Sequence, residues 1–221
     1  MIKTIYIYGD SFVAGDGVAT EEAWPSVLAQ RLGMTVINRG IPGGSNKLST
    51  INLLNDFADI ENLDEVLVVF SWTGIMRTAF YHKGLATWRN VLVGHDPEDP
   101  ELKKICDLWY GSIYNDYDGQ MEFYSQQIFV SSFLASRNVK YIFINSFIED
   151  YIDKEAFAKQ YKNVVKLLPK DKFILGYDGS IFDILCKRLK MICADGYHPS
   201  AEGHKHLANI VDIYLKDNNL L

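Results

Sequence analysis

Three short stretches of this chain hold residue types that could together make an alcohol reactive. The first is Gly9-Asp10-Ser11, which follows a β-branched, aromatic segment and precedes the small, flexible run Val13-Ala14-Gly15-Asp16-Gly17. A serine placed where a buried strand ends sits at the carboxyl edge of a sheet, where α/β proteins meet their ligands. Taken alone, a serine in a strand-to-helix turn is more often a helix cap. The second stretch is Asp195-Gly196-Tyr197-His198-Pro199. A serine hydroxyl is a poor nucleophile at neutral pH; it needs a base to take its proton and a partner to orient that base. Asp and His three residues apart can make that contact within one turn, although a surface turn with a capping Asp has the same pattern. The third stretch is Asn38-Arg39-Gly40-Ile41-Pro42-Gly43-Gly44-Ser45-Asn46. Glycine lets backbone N–H groups approach an oxygen that gains negative charge, and it serves a plain strand-to-helix turn just as well.

The elements that must position these stretches alternate between strand and helix. Residues 2–8 read as a strand ending at Gly9. Residues 21–32 place Trp24, Val27, Leu28 and Leu32 on one helical face, with Thr20 as N-cap, Gly33 as the stop, and Pro25 tolerable only in the first turn. Met34–Asn38 reads as a second strand, and a helix with Leu48, Ile51, Leu54 and Ala58 in register follows the glycine loop. Val66–Trp72 is a near-continuous apolar run, as a strand buried on both faces requires. Helices are expected over 121–136, 154–167 and 200–215, the last with Leu207, Val211, Tyr214 and Leu215 on one side. Strands are expected over 139–147 and, briefly, Phe173–Leu175. This order implies βαβ units and a mostly parallel sheet covered on both faces.

Residues 77–120 break the rhythm. They carry Phe80, Tyr81, Trp88, Trp109, Tyr110, Tyr114 and Tyr117, together with the acidic, proline-bearing run from His95 to Glu101. Connections this long are usually functional or disordered, and aromatics in this number argue against disorder. Two readings stand side by side: a small helical insertion with its aromatics inward, or a lid over a substrate.

The bulk composition narrows the function classes. The chain has 221 residues, 48% of them apolar and 23% charged, which fits one ordinary globular domain, 1–221, with the insertion at about 77–120. A net charge of −6 leaves no electrostatic footprint for nucleic acid and argues against an anionic membrane surface. Three irregularly spaced cysteines, Cys106, Cys186 and Cys193, form neither a disulfide framework nor a zinc motif and read as reduced thiols. The first residues read as a strand and not as a signal peptide, so the expected location is cytoplasmic, although a phage or virion-associated protein would look the same. His204 and His206 flank Lys205 near His198, but neighbours two apart on a helix point to different faces, which disfavours a metal site.

The chain order of the three stretches carries a resemblance that none carries alone. Ser after the first strand, a glycine loop after the second, and Asp-x-x-His before the last helix resemble the motif order of the SGNH/GDSL hydrolases, over most of the chain. Gly9-Asp10-Ser11 is similar to the first block of that family, Asn38-x-x-x-x-Gly43 to the second, and Asp195-x-x-His198-Pro199 to the fifth; Ala23-Trp24-Pro25 is similar to a structural segment of bacterial members. The resemblance implies a flavodoxin-like three-layer α/β/α sandwich with a mostly parallel five-stranded sheet. It implies a serine esterase in which Ser11 attacks an ester carbonyl, His198 moves the proton, Asp195 orients the imidazole, and the Ser11 and Gly43 N–H groups hold the oxyanion. No metal or organic cofactor is implied.

The third block departs from the family pattern. Where Gly-x-Asn-Asp is usual, this chain has Ser71-Trp72-Thr73-Gly74-Ile75-Met76-Arg77, and alignment by the strand puts Thr73 at the Asn position. A threonine hydroxyl can donate one hydrogen bond, so Thr73 is a candidate substitute in the oxyanion site. Arg77 is a candidate for an anionic group on the substrate, or a surface ion pair. Asp10 is expected to tie down the loop beside the nucleophile. The partner implied is a small-molecule or carbohydrate ester, the latter because aromatic faces in the insertion suit sugar rings. An acyltransferase using the same residues, and a binding or structural module weakened by the altered third block, are the competing readings.

Overall fold

Alternating side chains along β-branched and aromatic segments give each strand two faces to bury. In the computed structural model, which describes residues 1–60, 62–92, 99–148 and 153–221, these segments form six strands. They are β1 (Thr4–Gly9), β2 (Thr35–Gly40), β3 (Val66–Trp72), β4 (Thr78–His82), β5 (Thr87–Val91) and β6 (Lys140–Asn145). The helices are α1 (Ser11–Ala14), α2 (Trp24–Leu32), α3 (Asn46–Asp59), α4 (Pro100–Leu108), α5 (Asp116–Ser136), α6 (Lys154–Gln160), α7 (Lys162–Val165) and α8 (Ala201–Asp217).

Four strands pair in parallel in the order β2-β1-β3-β6, so the chain is α/β with a parallel sheet. Gly9 pairs with Gly40, Tyr8 with Phe70, and Trp72 with Asn145, so the carboxyl ends of all four strands finish along one rim. One face sends Ile5, Ile7, Leu67, Val69, Ile142 and Ile144 against Trp24 and Leu28 of α2 and Leu207, Val211 and Leu215 of α8. The other sends Tyr8, Val68, Phe70 and Phe143 against Leu53 and Phe57 of α3 and Val130 and Leu134 of α5. Each large side chain buried this way contributes roughly 1.5–3 kcal/mol of transfer free energy. Helices therefore cover both faces, and β3 is buried at every position.

Several elements differ from the sequence expectation. The sheet has four strands among the described residues, not five. The segment expected as a fifth, Phe173–Leu175, makes a single parallel bridge from Phe173 to Phe143. A 3₁₀ turn at Lys170–Lys172 leads into it and Gly176, at φ +78°, turns the chain out, which leaves room for one bridge only. The helix expected over 154–167 is interrupted at Tyr161, whose backbone leaves helical geometry. The 77–120 insertion is not all helical. It contains the antiparallel hairpin β4–β5, helix α4 capped by Asp99, and a π-type turn at Trp109–Ile113. Its aromatics split: Phe80, Trp109 and Tyr110 pack on a small core of Val91, Leu102 and Cys106, while Tyr81 and Tyr117 are exposed. His95 and most of the acidic proline run lie outside the described residues. His82 is 7% exposed; its Nε2 lies 3.1 Å from Glu101. Among the described residues, no helix is long and apolar enough to cross a membrane.

Helix α2 begins at Trp24, with Pro25 in its first turn, and neither Thr20 nor Ala23 caps it. Its cap comes from α8: the Trp24 N–H donates to His204 Nδ1 at 3.2 Å. His204 is fully buried, and burial pushes its pKa from 6.5 down to about 4. The ring is thus committed to packing. Among the described residues, no group of three or more His, Cys, Asp or Glu is arranged to hold a metal. Because the unfolded chain binds a proton below pH 6.5 that the folded chain refuses until about pH 4, this group's stabilisation is complete above pH 6.5 and is lost as pH falls toward 4. Between pH 7 and pH 5 the native protein should lose about 2 kcal/mol more than His204→Asn, which keeps an acceptor for Trp24 but cannot titrate. Urea unfolding of both proteins at the two pH values measures this difference.

Candidate active site

The rim of the sheet places Ser11 by local necessity. Strand β1 ends at Gly9, where a Cβ would come within 2.5 Å of Val13 Cγ2 and 2.9 Å of Ser71 Cβ, so only glycine allows the turn. Asp10 then caps the single turn α1 by accepting from the Phe12 N–H at 3.1 Å. Ser11 is the first residue of that turn and is 4% exposed.

The loop before α8 is prefolded around Asp195. Gly196 adopts φ +74°, and the Cys193 N–H closes the loop onto His198 O at 2.8 Å. Asp195 Oδ1 accepts from the Tyr197 and His198 N–H groups at 2.8 and 3.0 Å, and Oδ2 lies 2.7 Å from His198 Nδ1. These hydrogen bonds, the Tyr197 N–H foremost, hold the Asp195 carboxyl down at about 2. A carboxylate at Nδ1 assigns the proton to that nitrogen and leaves Nε2 as the acceptor. His198 Nε2 lies 3.0 Å from Ser11 Oγ, across 187 residues of chain. The rings of Phe12 and Tyr197 meet the imidazole edge-on at 5.6 and 5.3 Å and fix its plane. The Cys193 thiol has two carbonyl oxygens within reach of its one hydrogen, Pro199 O at 3.1 Å and Gly17 O at 3.3 Å, which brings this loop against the one after Ser11.

Asp10 is the centre of a second, buried cluster. Its carboxylate has no exposed surface. Oδ1 accepts from Ser146 Oγ at 2.9 Å as well as from Phe12; Oδ2 accepts from Thr73 Oγ1 at 2.6 Å and faces Arg77 Nη1 at 3.4 Å. Two of the candidate residues meet Asp10 here. The Thr73 hydroxyl proton is directed at Asp10, not at a substrate oxygen, and the Thr73 backbone is clamped by the Asn46 amide at 2.8 and 3.0 Å. Arg77 forms an ion pair at the rim of the buried cluster and not one on the open surface. Its side chain is 16% exposed, pairs with Asp10, reaches Gly44 O at 3.5 Å and lies 5.1 Å from the Phe147 ring. A buried carboxylate needs a counter-charge, and Arg77, with Nη1 at 3.4 Å, supplies it.

The glycine loop is anchored at both ends. The Ile41 N–H donates to Gly9 O at 3.0 Å, and Ser45 Oγ caps α3 and bonds Asn90 Oδ1 of the hairpin at 3.0 Å. Gly43 has φ +64°, and a Cβ there would stand 2.8 Å from Leu92. The insertion therefore braces the Gly43 loop through Asn90 and Leu92. Sequence reasoning gave no role to Ser146 or Phe147, placed Asn46 only at the end of the glycine stretch, and weighed His204 only as a metal ligand. Ser146 follows β6 as Asp10 follows β1, and that shared position at a strand's carboxyl end was the available signal.

A family model described as a family of unknown function (DUF6071) matches residues 16–221. No curated protein matches the sequence. Among solved structures, the chain is similar to the crystal structure of TesA, at 18% identity and TM-score 0.60, covering 97% of this chain and 99% of that one. It is also similar to the psychrotrophic esterase EstA from Pseudoalteromonas sp., solved in a form inhibited by monoethylphosphonate. That match has 14% identity and TM-score 0.61 and covers 99% of this chain and 100% of that one. A third similar structure is the Clostridium thermocellum family 3 carbohydrate esterase, at 18% identity and TM-score 0.52, covering 98% of this chain and 96% of that one. At these identities the likeness is one of fold, and the fold is shared with esterases described as SGNH hydrolases.

Proposed function

The chain belongs to the DUF6071 family, and from the geometry of its sheet rim we propose that it is a serine ester hydrolase. The observation that carries this reading is the linear set Asp195 Oδ2, His198, Ser11 Oγ, with contacts of 2.7 and 3.0 Å. In this reading Ser11 Oγ attacks the ester carbonyl carbon as its proton passes to His198 Nε2, and Asp195 stabilises the imidazolium that forms. The Ser11 and Gly43 N–H groups hold the oxyanion. On collapse the carbon–oxygen bond to the alcohol breaks and His198 returns the proton to that oxygen. Water then adds to the acyl-serine by the same proton route and frees the acid. The steps draw on protein groups and water alone.

The substrate class that fits is a small acyl ester. A carbohydrate O-acetyl ester is the preferred form: one structure of the same fold is a carbohydrate esterase, and the hairpin that braces Gly43 carries the exposed Tyr81 with Trp88 at 5.8 Å. One observation favours the competing reading of a weakened binding module. With Thr73 bonded to Asp10, two backbone donors remain for the oxyanion, and loss of one donor costs about 10²- to 10³-fold in rate elsewhere. A reactive aryl ethylphosphonate separates the two. The hydrolase forms one covalent adduct, mapped to Ser11 by mass spectrometry, with parallel loss of p-nitrophenyl acetate turnover. An unlabelled Ser11 with turnover no faster than buffer supports the module.

A further inference from the structure

The carboxyl ends of β3 and β6 border a cavity of about 170 Å³ that the contacts between Ser11 and His198 leave unused. Phe123 and Tyr124 of α5, Tyr177 and Phe147 give it aromatic walls, while the exposed Lys170 and Asp178 carry it to the surface. An apolar cavity of roughly 150 Å³ accommodates benzene, so this one has room for a single six-membered ring.

The polar wall is unusual. Asn145 lines the cavity and is 3% exposed. Its Nδ2 donates to Tyr177 O at 2.8 Å and Gly179 O at 3.3 Å, which assigns the amide orientation. Its Oδ1 is then a buried acceptor with no hydrogen-bond partner among the described residues. Proteins seldom keep such an atom without a reason, and the unfilled space beside Asn145 is this cavity. Thr73, also in the wall, cannot serve as its donor because its hydroxyl is directed at Asp10. The cavity adjoins the reactive groups through one ring. Phe147 lines it, and the same ring lies 4.6 Å from that of Phe12, next to Ser11, and 5.6 Å from that of Tyr197, next to His198.

We propose that this cavity binds a six-membered ring bearing an O–H or N–H donor, and that Asn145 Oδ1 accepts that hydrogen. Resting on the hydrolase reading, the ring is the recognised part of the ester: a hydroxylated or amide-bearing ring whose ester group reaches past Phe147 to Ser11. A ring offering only acceptors would leave Oδ1 unpaired and is discriminated against.

The test is a binding measurement that needs no turnover. Ser11→Ala protein is titrated with phenol and with toluene, which match in size and differ in the donor, by calorimetry or ligand-observed NMR. Phenol should bind about tenfold more tightly than toluene. Asn145→Leu should reverse that preference, and Ala158→Phe, which fills the cavity from α6 without touching the reactive groups, should abolish binding of both. Toluene binding as tightly as phenol to the protein with Asn145 intact overturns the proposal, whether or not Asn145→Leu folds. So does phenol binding unchanged in Ala158→Phe. The two readings fail separately: phenol binding in a chain with no ester turnover sustains the pocket and removes the hydrolase, and turnover of acetate esters without phenol binding does the opposite.

Discussion

Ser11→Ala is expected to lower kcat for p-nitrophenyl acetate by about 10⁴- to 10⁶-fold while leaving the melting temperature within a degree or so of the parent. The argument is that Ser11 Oγ supplies the electron pair for the bond that forms, and no neighbouring hydroxyl replaces it. The other rim hydroxyls, Ser71, Ser146 and Thr73, are buried and bonded to one another or to Asp10. Stability should hold because the Ser11 hydroxyl bonds to His198 in the half-exposed Asp195–His198 loop, whose turn is held by backbone contacts that do not involve Ser11. His198→Ala should cost a similar factor, and the double variant should be no slower than either single one, because the two groups act as a unit. Asp195→Asn keeps an acceptor for the Tyr197 N–H but removes the charge facing the imidazole, and a loss of about 10⁴-fold is expected. Steady-state kinetics on purified variants decide the matter; equal rates for parent and Ser11→Ala would refute the hydrolase.

The largest stability effect is expected at Asp10. Asp10→Ala should destabilise the fold by about 3–5 kcal/mol, because it strips the counter-charge from a mostly buried Arg77 and leaves Phe12 N–H, Ser146 Oγ and Thr73 Oγ1 without their acceptor. For a chain of this length that corresponds to a fall in melting temperature of roughly 10 °C. Adding Arg77→Met to Asp10→Ala should recover part of the loss, since the uncompensated charge goes with it. Calorimetric melting of the single and double variants measures both steps, and a single variant that melts with the parent would show that the cluster adds nothing to stability. Below the melting range Asp10→Ala should also be slow, because the Phe12 N–H bond that starts α1 sets where Ser11 stands.

Much of the architecture could be read from residue order. Alternating apolar strands and helices announced a parallel α/β sheet, since only that arrangement buries runs such as Val66–Trp72 on both faces. Closing helix α8 was legible from Leu207, Val211 and Leu215 because one face of a helix repeats locally. Ser11 and the Asp195–His198 pair were legible as candidates for the same reason: what each can donate or accept is a property of residue type and short spacing.

Other features depended on contacts between segments remote in the chain. Thr73 stood out in the sequence as a candidate oxyanion donor, yet its hydroxyl donates a hydrogen bond to Asp10, 63 residues away. His204 read as a doubtful metal ligand, and it caps a helix whose first N–H lies 180 residues earlier. The β4–β5 hairpin that braces Gly43 was hidden in a run of aromatics with no clear period. Composition and periodicity govern which surfaces must be buried, because burial follows apolar area. Which polar atom meets which is settled only when the sheet brings its strand ends to a common rim, since a hydrogen bond acts over about 3 Å and residue order holds no record of that distance.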